Sequence, residues 1–208
     1  MTIRGVGEMK NWSSTGSPWY KDKNSIQKVV IESGVVSVGT YAFHNCTVLT
    51  EVNLPSELES MGNYAFRNCT ALPQISLPAG LKTLGNNVFE GCRLLAKVDL
   101  PTGLLSLGEY TFNNCGALAE ITIPDGITEI GRGTFQNCAA LESIDLNQVI
   151  TVNSYAFSSC TALAAIDLKN VNVLENNAFY RCDALESIKI PSTVTTVGTS
   201  GAFTNCGK

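Results

Sequence analysis

From Ile26 onward, the chain repeats a pattern in which apolar and polar positions alternate over short stretches. In residues 51–54, for example, Glu51 and Asn53 are polar while Val52 and Leu54 are apolar. Alternation with a period of two predicts a short strand with one buried face. Eight inward pairs follow this pattern: Val29/Ile31, Val52/Leu54, Ile75/Leu77, Val98/Leu100, Ile121/Ile123, Ile144/Leu146, Ile166/Leu168 and Ile188/Ile190.

A second apolar pair follows each predicted strand, and a third block completes the unit. In the second unit, Pro55 ends the strand because proline cannot donate to a strand ladder. Leu58 and Met61 then predict a second short extended segment, and Gly62 is interpreted as turning the chain. The block Ala-Phe-x-x-Cys is long enough for one helical turn. The residue before each cysteine is usually Asn or Gly, which predicts a left-handed exit from that turn.

The spacing Phe-x-x-Cys occurs eight times and uses every phenylalanine and cysteine of the chain. The steps between successive cysteines are 22 to 24 residues. A fixed period in this range predicts a stacked repeat protein, in which each unit rests on its neighbours. The repeat residues are Phe43, Cys46, Phe66, Cys69, Phe89, Cys92, Phe112, Cys115, Phe135, Cys138, Phe157, Cys160, Phe179, Cys182, Phe203 and Cys206.

Two regions follow from this period. Residues 26–208 form one predicted solenoid domain of about eight units, and residues 1–25 do not fit the repeat. Residues 1–25 contain both tryptophans, Trp12 and Trp19, and we interpret them as an entry segment that caps the first unit. A tryptophan-based ligand site is the alternative. No leucine follows Cys206 at the usual distance, so we expect the last unit to be truncated, or covered by self-association with a second copy.

Composition excludes several classes of function. The formal net charge is -4 and no basic run occurs, which argues against nucleic acid. No apolar stretch is long enough to insert into a membrane, and no signal peptide is visible. The only histidine, His44, lies in a variable position that we interpret as solvent-facing. With no metal-binding spacing of Cys and His, we expect neither a catalytic site nor a cofactor, and we interpret the cysteines as buried thiols.

Polar positions on the outward face of the predicted first strands are the candidate partner-binding residues. They vary from unit to unit while the inward positions hold, which indicates either a solvated face or a recognition strip. A cation at Asp145 and Asp167 is disfavoured because Lys189 follows and no ligand loop is present. A column of tyrosines at 41, 64, 110 and 155 is interpreted as packing at the edges of the units, with binding as the alternative. The strip comprises Lys97, Asp99, Glu120, Thr122, Asp145, Asp167 and Lys189.

The repeat Leu-x-x-Ile-x-Leu-Pro, followed by Leu-x-x-Ile-Gly-x-x-Ala-Phe-x-x-Cys-x-x-Leu, resembles the BspA-like, or Treponema pallidum-type, leucine-rich repeats over about residues 26–206. Asn153 and Glu175 depart from it where glycine is usual. The resemblance implies an α/β-type repeat solenoid that is right-handed and carries a parallel sheet on one face. It also implies a secreted or cell-surface bacterial protein, some relatives acting as adhesins. We therefore expect a non-catalytic module that binds a host or bacterial protein. A structural spacer or a carbohydrate-binding module is the alternative.

Overall fold

A computed structural model describes residues 1–146 and 148–207. Within these ranges the chain forms short strands, all paired in parallel, and one 3₁₀ helix at Tyr20–Asp22. The strands are β1 (Thr2–Ile3), β2 (Gly7–Glu8), β3 (Lys28–Ile31), β4 (Val35–Val38), β5 (Glu51–Asn53), β6 (Ser60–Met61), β7 (Gln74–Ser76), β8 (Thr83–Leu84), β9 (Lys97–Asp99), β10 (Ser106–Leu107), β11 (Glu129–Ile130), β12 (Ser143–Ile144), β13 (Thr151–Val152), β14 (Ala165–Ile166), β15 (Val173–Leu174) and β16 (Thr196–Val197).

Each repeat forms one rung of a solenoid with parallel strands, as the sequence predicted. The described residues build it from strands and turns, and not as the α/β type that the family resemblance implied. We number the rungs 1 to 8 by the cysteine that closes each, from Cys46 to Cys206. A rung has three sides: a strand in the first sheet, a strand in the second sheet, and a turn side that carries Phe-x-x-Cys. Equivalent residues lie directly above one another, since Val29 pairs with Val52 in the first sheet and Met61 with Leu84 in the second.

The turn side replaces sheet pairing with two alternating sets of hydrogen bonds. The amide of Phe43 donates to the carbonyl of Ala65 in the next rung (2.8 Å), while the amide of Cys46 donates to Phe43 of its own rung (3.2 Å). The single helical turn predicted here is therefore a run of four-residue turns closed by bonds between residues three apart, with no α-helix among the described residues. The predicted left-handed exit is confirmed at Asn45, where φ is 62°. It recurs at Asn68, Gly91, Asn114, Asn137, Ser159, Arg181 and Asn205.

Phenylalanine rings stack along the axis of the solenoid and form the centre of its core. Neighbouring ring centroids lie 5.1 to 5.9 Å apart. Every phenylalanine from Phe43 to Phe179 is fully buried, and Phe203 is half-buried. All eight cysteines are free thiols, and all except Cys206 are buried. The predicted column of buried thiols is thus present in seven rungs and partly open in the last.

The glycines after the second strands have a different role from the predicted one. Gly62, Gly85 and Gly108 do not adopt positive φ, so the turn itself does not require them. A Cβ at Gly62 would instead lie 2.6 Å from the amide nitrogen of Thr40 in the preceding rung. Glycine is needed because the backbones of adjacent rungs approach closely at this corner. Gly131 is the exception, because a Cβ there would make ordinary contacts.

The entry segment continues both sheets by one further rung. Strand β1 pairs with β3, and β2 pairs with β4. The indole ring of Trp19 stacks on Phe43 with centroids 5.4 Å apart, and its Nε1 donates to the carbonyl of Ala42 (2.6 Å). Trp12 packs edge-on against Trp19 at 5.1 Å. The apolar face of rung 1 is therefore covered by aromatic side chains.

Within the part of the chain that the structure describes, rungs 4 and 5 lack strand pairing in both sheets, whereas rungs 2 and 3 lack it only in the first sheet, where β5 and β7 are not paired. Among residues 1–146 and 148–207, no strand pairing links β9 to residues 120–122 or β10 to β11. The turn side stays bonded, since Phe112 donates to Thr134 (2.9 Å) and its ring stacks on Phe135 at 5.6 Å. Among the described residues, both sheets thus lack strand pairing between rungs 4 and 5, and we call this place the rung 4–5 junction.

Candidate functional site

The outward face of the first sheet carries the seven residues predicted to bind a partner, and all seven are exposed. Lys97 and Asp99 lie on β9. Thr122 forms an isolated parallel bridge with Asp145. The register of β12 and β14, in which Ile144 pairs with Ile166, places Asp145 and Asp167 one rung apart. Lys189 lies in rung 8, outside the strands.

A groove at the rung 4–5 junction brings most of this strip together. It has a volume of about 410 Å³ and its polar lining includes Lys97, Asp99, Glu120, Thr122 and Asp145. Val98 and Ile121 also line the groove, which lies where the two rungs are not paired. Asp167 and Lys189 do not line the groove. The structure therefore gathers five of the seven predicted residues into one concave site.

The groove carries an excess of negative charge. Lys97 lies 3.5 Å from Asp99, but both side chains are more than half exposed. An exposed ion pair of this kind contributes about 0–1 kcal/mol, so it holds neither side chain firmly. Glu120, Asp145 and the adjacent Asp167 add three carboxylates. The strip thus presents negative charge along rungs 4 to 7, with one cation at its start.

No metal-binding arrangement is seen among residues 1–146 and 148–207. No three His, Cys, Asp or Glu side chains come together there in a way that suits a metal ion. His44 is half-buried, not fully solvent-facing as predicted, because it packs edge-on against Tyr41 at 5.4 Å. Its burial lowers its pKa.

Tyrosines occupy left-handed backbone positions at the same corner of four rungs. The sequence analysis did not predict this conformation. Values of φ are 56° at Tyr41, 60° at Tyr64, 55° at Tyr110 and 62° at Tyr155. Left-handed backbone costs an ordinary residue about 1–2 kcal/mol. The signal was present in the same column, because its other members are Asn87, Gly133, Asn177 and Gly201. Asn and Gly are the residues that tolerate this conformation best.

The tryptophans of the entry segment are engaged in packing. Trp19 is held between Phe43 and Trp12, and its ring nitrogen already donates to Ala42. The ring of Tyr20 is covered by the ammonium group of Lys23 at 3.9 Å. This arrangement does not favour the tryptophan-based ligand site that was the alternative for this segment.

Repeats of 22 to 24 residues, parallel strands and a stacked phenylalanine core define the chain as a leucine-rich-repeat solenoid. The family described as BspA type leucine rich repeat region, in six copies, matches residues 13–142 and 82–208. The two matched ranges together cover most of the chain, so the chain belongs to the BspA-type leucine-rich repeat family.

Solved structures of bacterial leucine-rich repeat proteins are similar to this chain. A T. pallidum leucine-rich repeat protein shares 27% identity with a TM-score of 0.66, over 76% of this chain and 72% of that one. A leucine-rich repeat protein from Bacteroides ovatus shares 27% identity with a TM-score of 0.80, over 88% of this chain and 48% of that one. A leucine-rich cell surface protein from Faecalibacterium prausnitzii shares 22% identity and the fold, with a TM-score of 0.54, over 86% and 62%.

No curated protein sequence matches the chain. Within residues 1–146 and 148–207, none of the helices has the length and apolar character needed to cross a membrane. Leucine-rich repeat solenoids bind other proteins or serve as structural supports.

Proposed function

We propose that the chain is a non-catalytic protein-interaction module of a bacterial surface protein, and that its first-sheet groove binds a host or bacterial protein in the manner of an adhesin. The observation that carries the proposal is the groove at the rung 4–5 junction, which is lined by five polar residues from positions that vary between units. The extracellular location is proposed on the basis of the family and of the related cell surface protein.

The chemistry of the groove favours a basic partner. Glu120, Asp145 and Asp167 lie on consecutive rungs and are all exposed. A row of carboxylates attracts a positively charged surface and accelerates its association, most strongly at low ionic strength. Thr122 and Lys97 add hydrogen-bonding groups that can select among basic partners.

Charge reversal on the strip tests this proposal. Partners are captured with the wild-type chain from host matrix and from co-resident bacteria, and the affinity of a captured protein is then measured. The triple variant Glu120→Lys, Asp145→Lys, Asp167→Lys is expected to lose at least about tenfold in affinity, or about 1.4 kcal/mol. The thermal midpoint should change little, because exposed substitutions usually have small effects on stability.

A matched variant separates local recognition from total charge. Glu57, Glu59 and Asp125 are exposed and lie outside the first-sheet strands. Reversing these three residues to lysine changes the net charge of the protein by the same amount. Equal loss of affinity in both triple variants would show a general charge effect and would remove the case for the groove.

The spacer alternative makes the opposite prediction. A structural spacer that only presents another domain should give no saturable binding to any protein from either source. The proposal of self-association is tested separately through rung 8, where Ile190 and Val197 are 49% and 47% exposed. A molar mass that stays at that of the monomer at all concentrations in sedimentation would argue against it.

A further inference from the structure

The corner formed by rungs 4, 5 and 6 holds two of the strained tyrosines. Tyr110, Gly133 and Tyr155 are successive members of one column, and φ is 55°, 58° and 62°. Glycine adopts this conformation freely, whereas tyrosine does so at a cost. Strained backbone is concentrated at functional sites, so these partly exposed tyrosines are candidates for a binding site.

Gly133 makes room for the ring of Tyr110. A Cβ at Gly133 would overlap the edge of that ring, so the ring lies across the position that a side chain of rung 5 would fill. The guanidinium Nε of Arg132 donates a hydrogen bond to the Tyr110 hydroxyl at 2.7 Å. The guanidinium carbon lies 5.6 Å from the centroid of the Tyr155 ring. Arg132 is therefore held between tyrosines of both neighbouring rungs.

Among residues 1–146 and 148–207, no carboxylate forms an ion pair with Arg132, although the hydrogen bond to Tyr110 and, more weakly, the charge of Glu109 raise its pKa. Its side chain is exposed, and its hydrogen bond to Tyr110 uses Nε alone. Arg67 provides the contrast within the same chain. It also lies 5.6 Å from a tyrosine ring, that of Tyr64, but it donates two bonds to Glu90 at 2.7 and 3.1 Å. Both arginines thus lie near a tyrosine ring, but only the partly buried Arg67 forms an ion pair.

We propose that Tyr110, Arg132 and Tyr155, which we call the Arg132 clamp, bind a carboxylate on an acidic segment of a protein partner. The planar guanidinium presents terminal nitrogens that match a carboxylate in a two-pronged geometry. Because the tyrosines already restrain the guanidinium, less conformational freedom is lost on binding. Tyrosine and arginine are also the residues most often found at the energetic centres of protein interfaces.

The inference rests on the proposed function only in taking the partner to be a protein. The clamp lies on a corner of the solenoid away from the first-sheet groove, and it selects the opposite charge. Glu109 occupies the equivalent corner position one rung earlier. It forms no ion pair with Arg132 within the described residues, yet its negative charge opposes an incoming carboxylate.

The probe for the test is an N-acetylated, C-amidated hexaglutamate peptide, with hexaglutamine as its uncharged counterpart. Binding is followed by nuclear magnetic resonance of the arginine Nε–Hε groups, of which the chain has five. We expect the largest saturable shift at Arg132 and none with hexaglutamine. Arg132→Gln should weaken binding by at least about tenfold, and Glu109→Gln should strengthen it.

Three further variants identify the cause. Arg67→Gln is the matched control and should leave the affinity for hexaglutamate unchanged, since Arg67 is already neutralised. Arg132→Lys keeps the charge but loses the planar fork, so it should bind more weakly than wild type. Tyr110→Phe removes only the hydroxyl that orients Nε, and it should also weaken binding.

Shifts spread evenly over the arginines, or equal losses in Arg132→Gln and Arg67→Gln, would overturn the inference. Failure here is distinguishable from failure of the proposed function, because the peptide does not report on the groove. If the groove variant abolishes binding of a captured protein and Arg132 does not respond to hexaglutamate, the groove stands and the clamp is rejected. If Arg132 responds to hexaglutamate and the groove variant binds the captured protein as well as the wild-type chain does, the clamp stands and the groove is rejected.

Discussion

The thiol of Cys115 donates a hydrogen bond to the backbone carbonyl oxygen of Phe89, one rung earlier, at 3.2 Å. The same carbonyl accepts the amide of Cys92 within its own rung at 3.0 Å. Equivalent thiol bonds of 3.1 to 3.3 Å recur at Cys69, Cys92, Cys138, Cys160 and Cys182. The cysteine column therefore joins neighbouring rungs through weak donors, and it also fills space in the core.

Replacing Cys115 with serine tests this role. The sequence alone predicts a buried hydroxyl without a partner, but the structure offers it the Phe89 carbonyl. We therefore expect Cys115→Ser to lower the free energy of unfolding by only about 1 kcal/mol. Phe112→Ala, which removes a fully buried ring, should cost about 3–5 kcal/mol. Urea unfolding of both variants measures the difference, and similar losses would contradict the expected role of the carbonyl.

Burial of the thiols predicts a loss of stability at alkaline pH. Burial raises the pKa of Cys138 from an ordinary value of 9.0 to about 12, and those of Cys46 and Cys182 also to about 12. Between these values the unfolded chain loses a proton that the folded chain keeps. Each such thiol therefore lowers the free energy of unfolding by about 1.4 kcal/mol per pH unit between pH ~9 and pH ~12, and has no effect below pH ~9.

Urea unfolding at a series of pH values from neutral to alkaline measures this slope. Cys138→Ala should reduce the slope by the contribution of one proton. Cys206→Ala serves as its control, because Cys206 is only half-buried and should contribute less. A thiol reagent at mildly alkaline pH should likewise react first with Cys206 in the folded protein. Equal slopes in wild type and Cys138→Ala would show that the thiols do not carry the alkaline effect.

Much of the fold was predictable because the same pattern of buried residues occurs in eight units of the sequence. The inward pair Val52 and Leu54 and the stacked Phe66 recur at fixed spacing, and fixed spacing determines which residues meet. The opening at the rung 4–5 junction could not be predicted in this way. It depends on whether adjacent backbones pair, and residues 97–99 and 120–122 have the same polar and apolar pattern as the paired rungs. The groove residues were predicted as a strip, but their convergence was not.

The stack of Trp19 on Phe43 predicts how the first rung is stabilised. Trp19→Ala removes this contact and the bond from Nε1 to Ala42, and it should cost about 2–3 kcal/mol because the ring is only partly buried. Trp19→Phe keeps an aromatic ring but loses the bond, so about 1 kcal/mol of that loss should remain. Hydrogen exchange should show faster exchange in rung 1 and unchanged exchange in rung 7, because each repeat contacts only its neighbours. Uniform loss of protection would contradict this local role.

Glycines at two positions of the chain should respond differently to the same substitution. A Cβ at Gly108 would overlap the backbone carbonyl group of Gly85 in the preceding rung, and backbone atoms cannot move aside as a flexible side chain can. We expect Gly108→Ala to cost about 1–3 kcal/mol, as for other forced overlaps in packed regions. A Cβ at Gly116 would meet no atom within 4 Å. Its φ is not positive, so Gly116→Ala should be neutral or stabilise by about 0.4–1 kcal/mol through the unfolded state. Thermal unfolding of the two variants measures this contrast, and equal midpoints would show that the corner of the solenoid can widen at no cost.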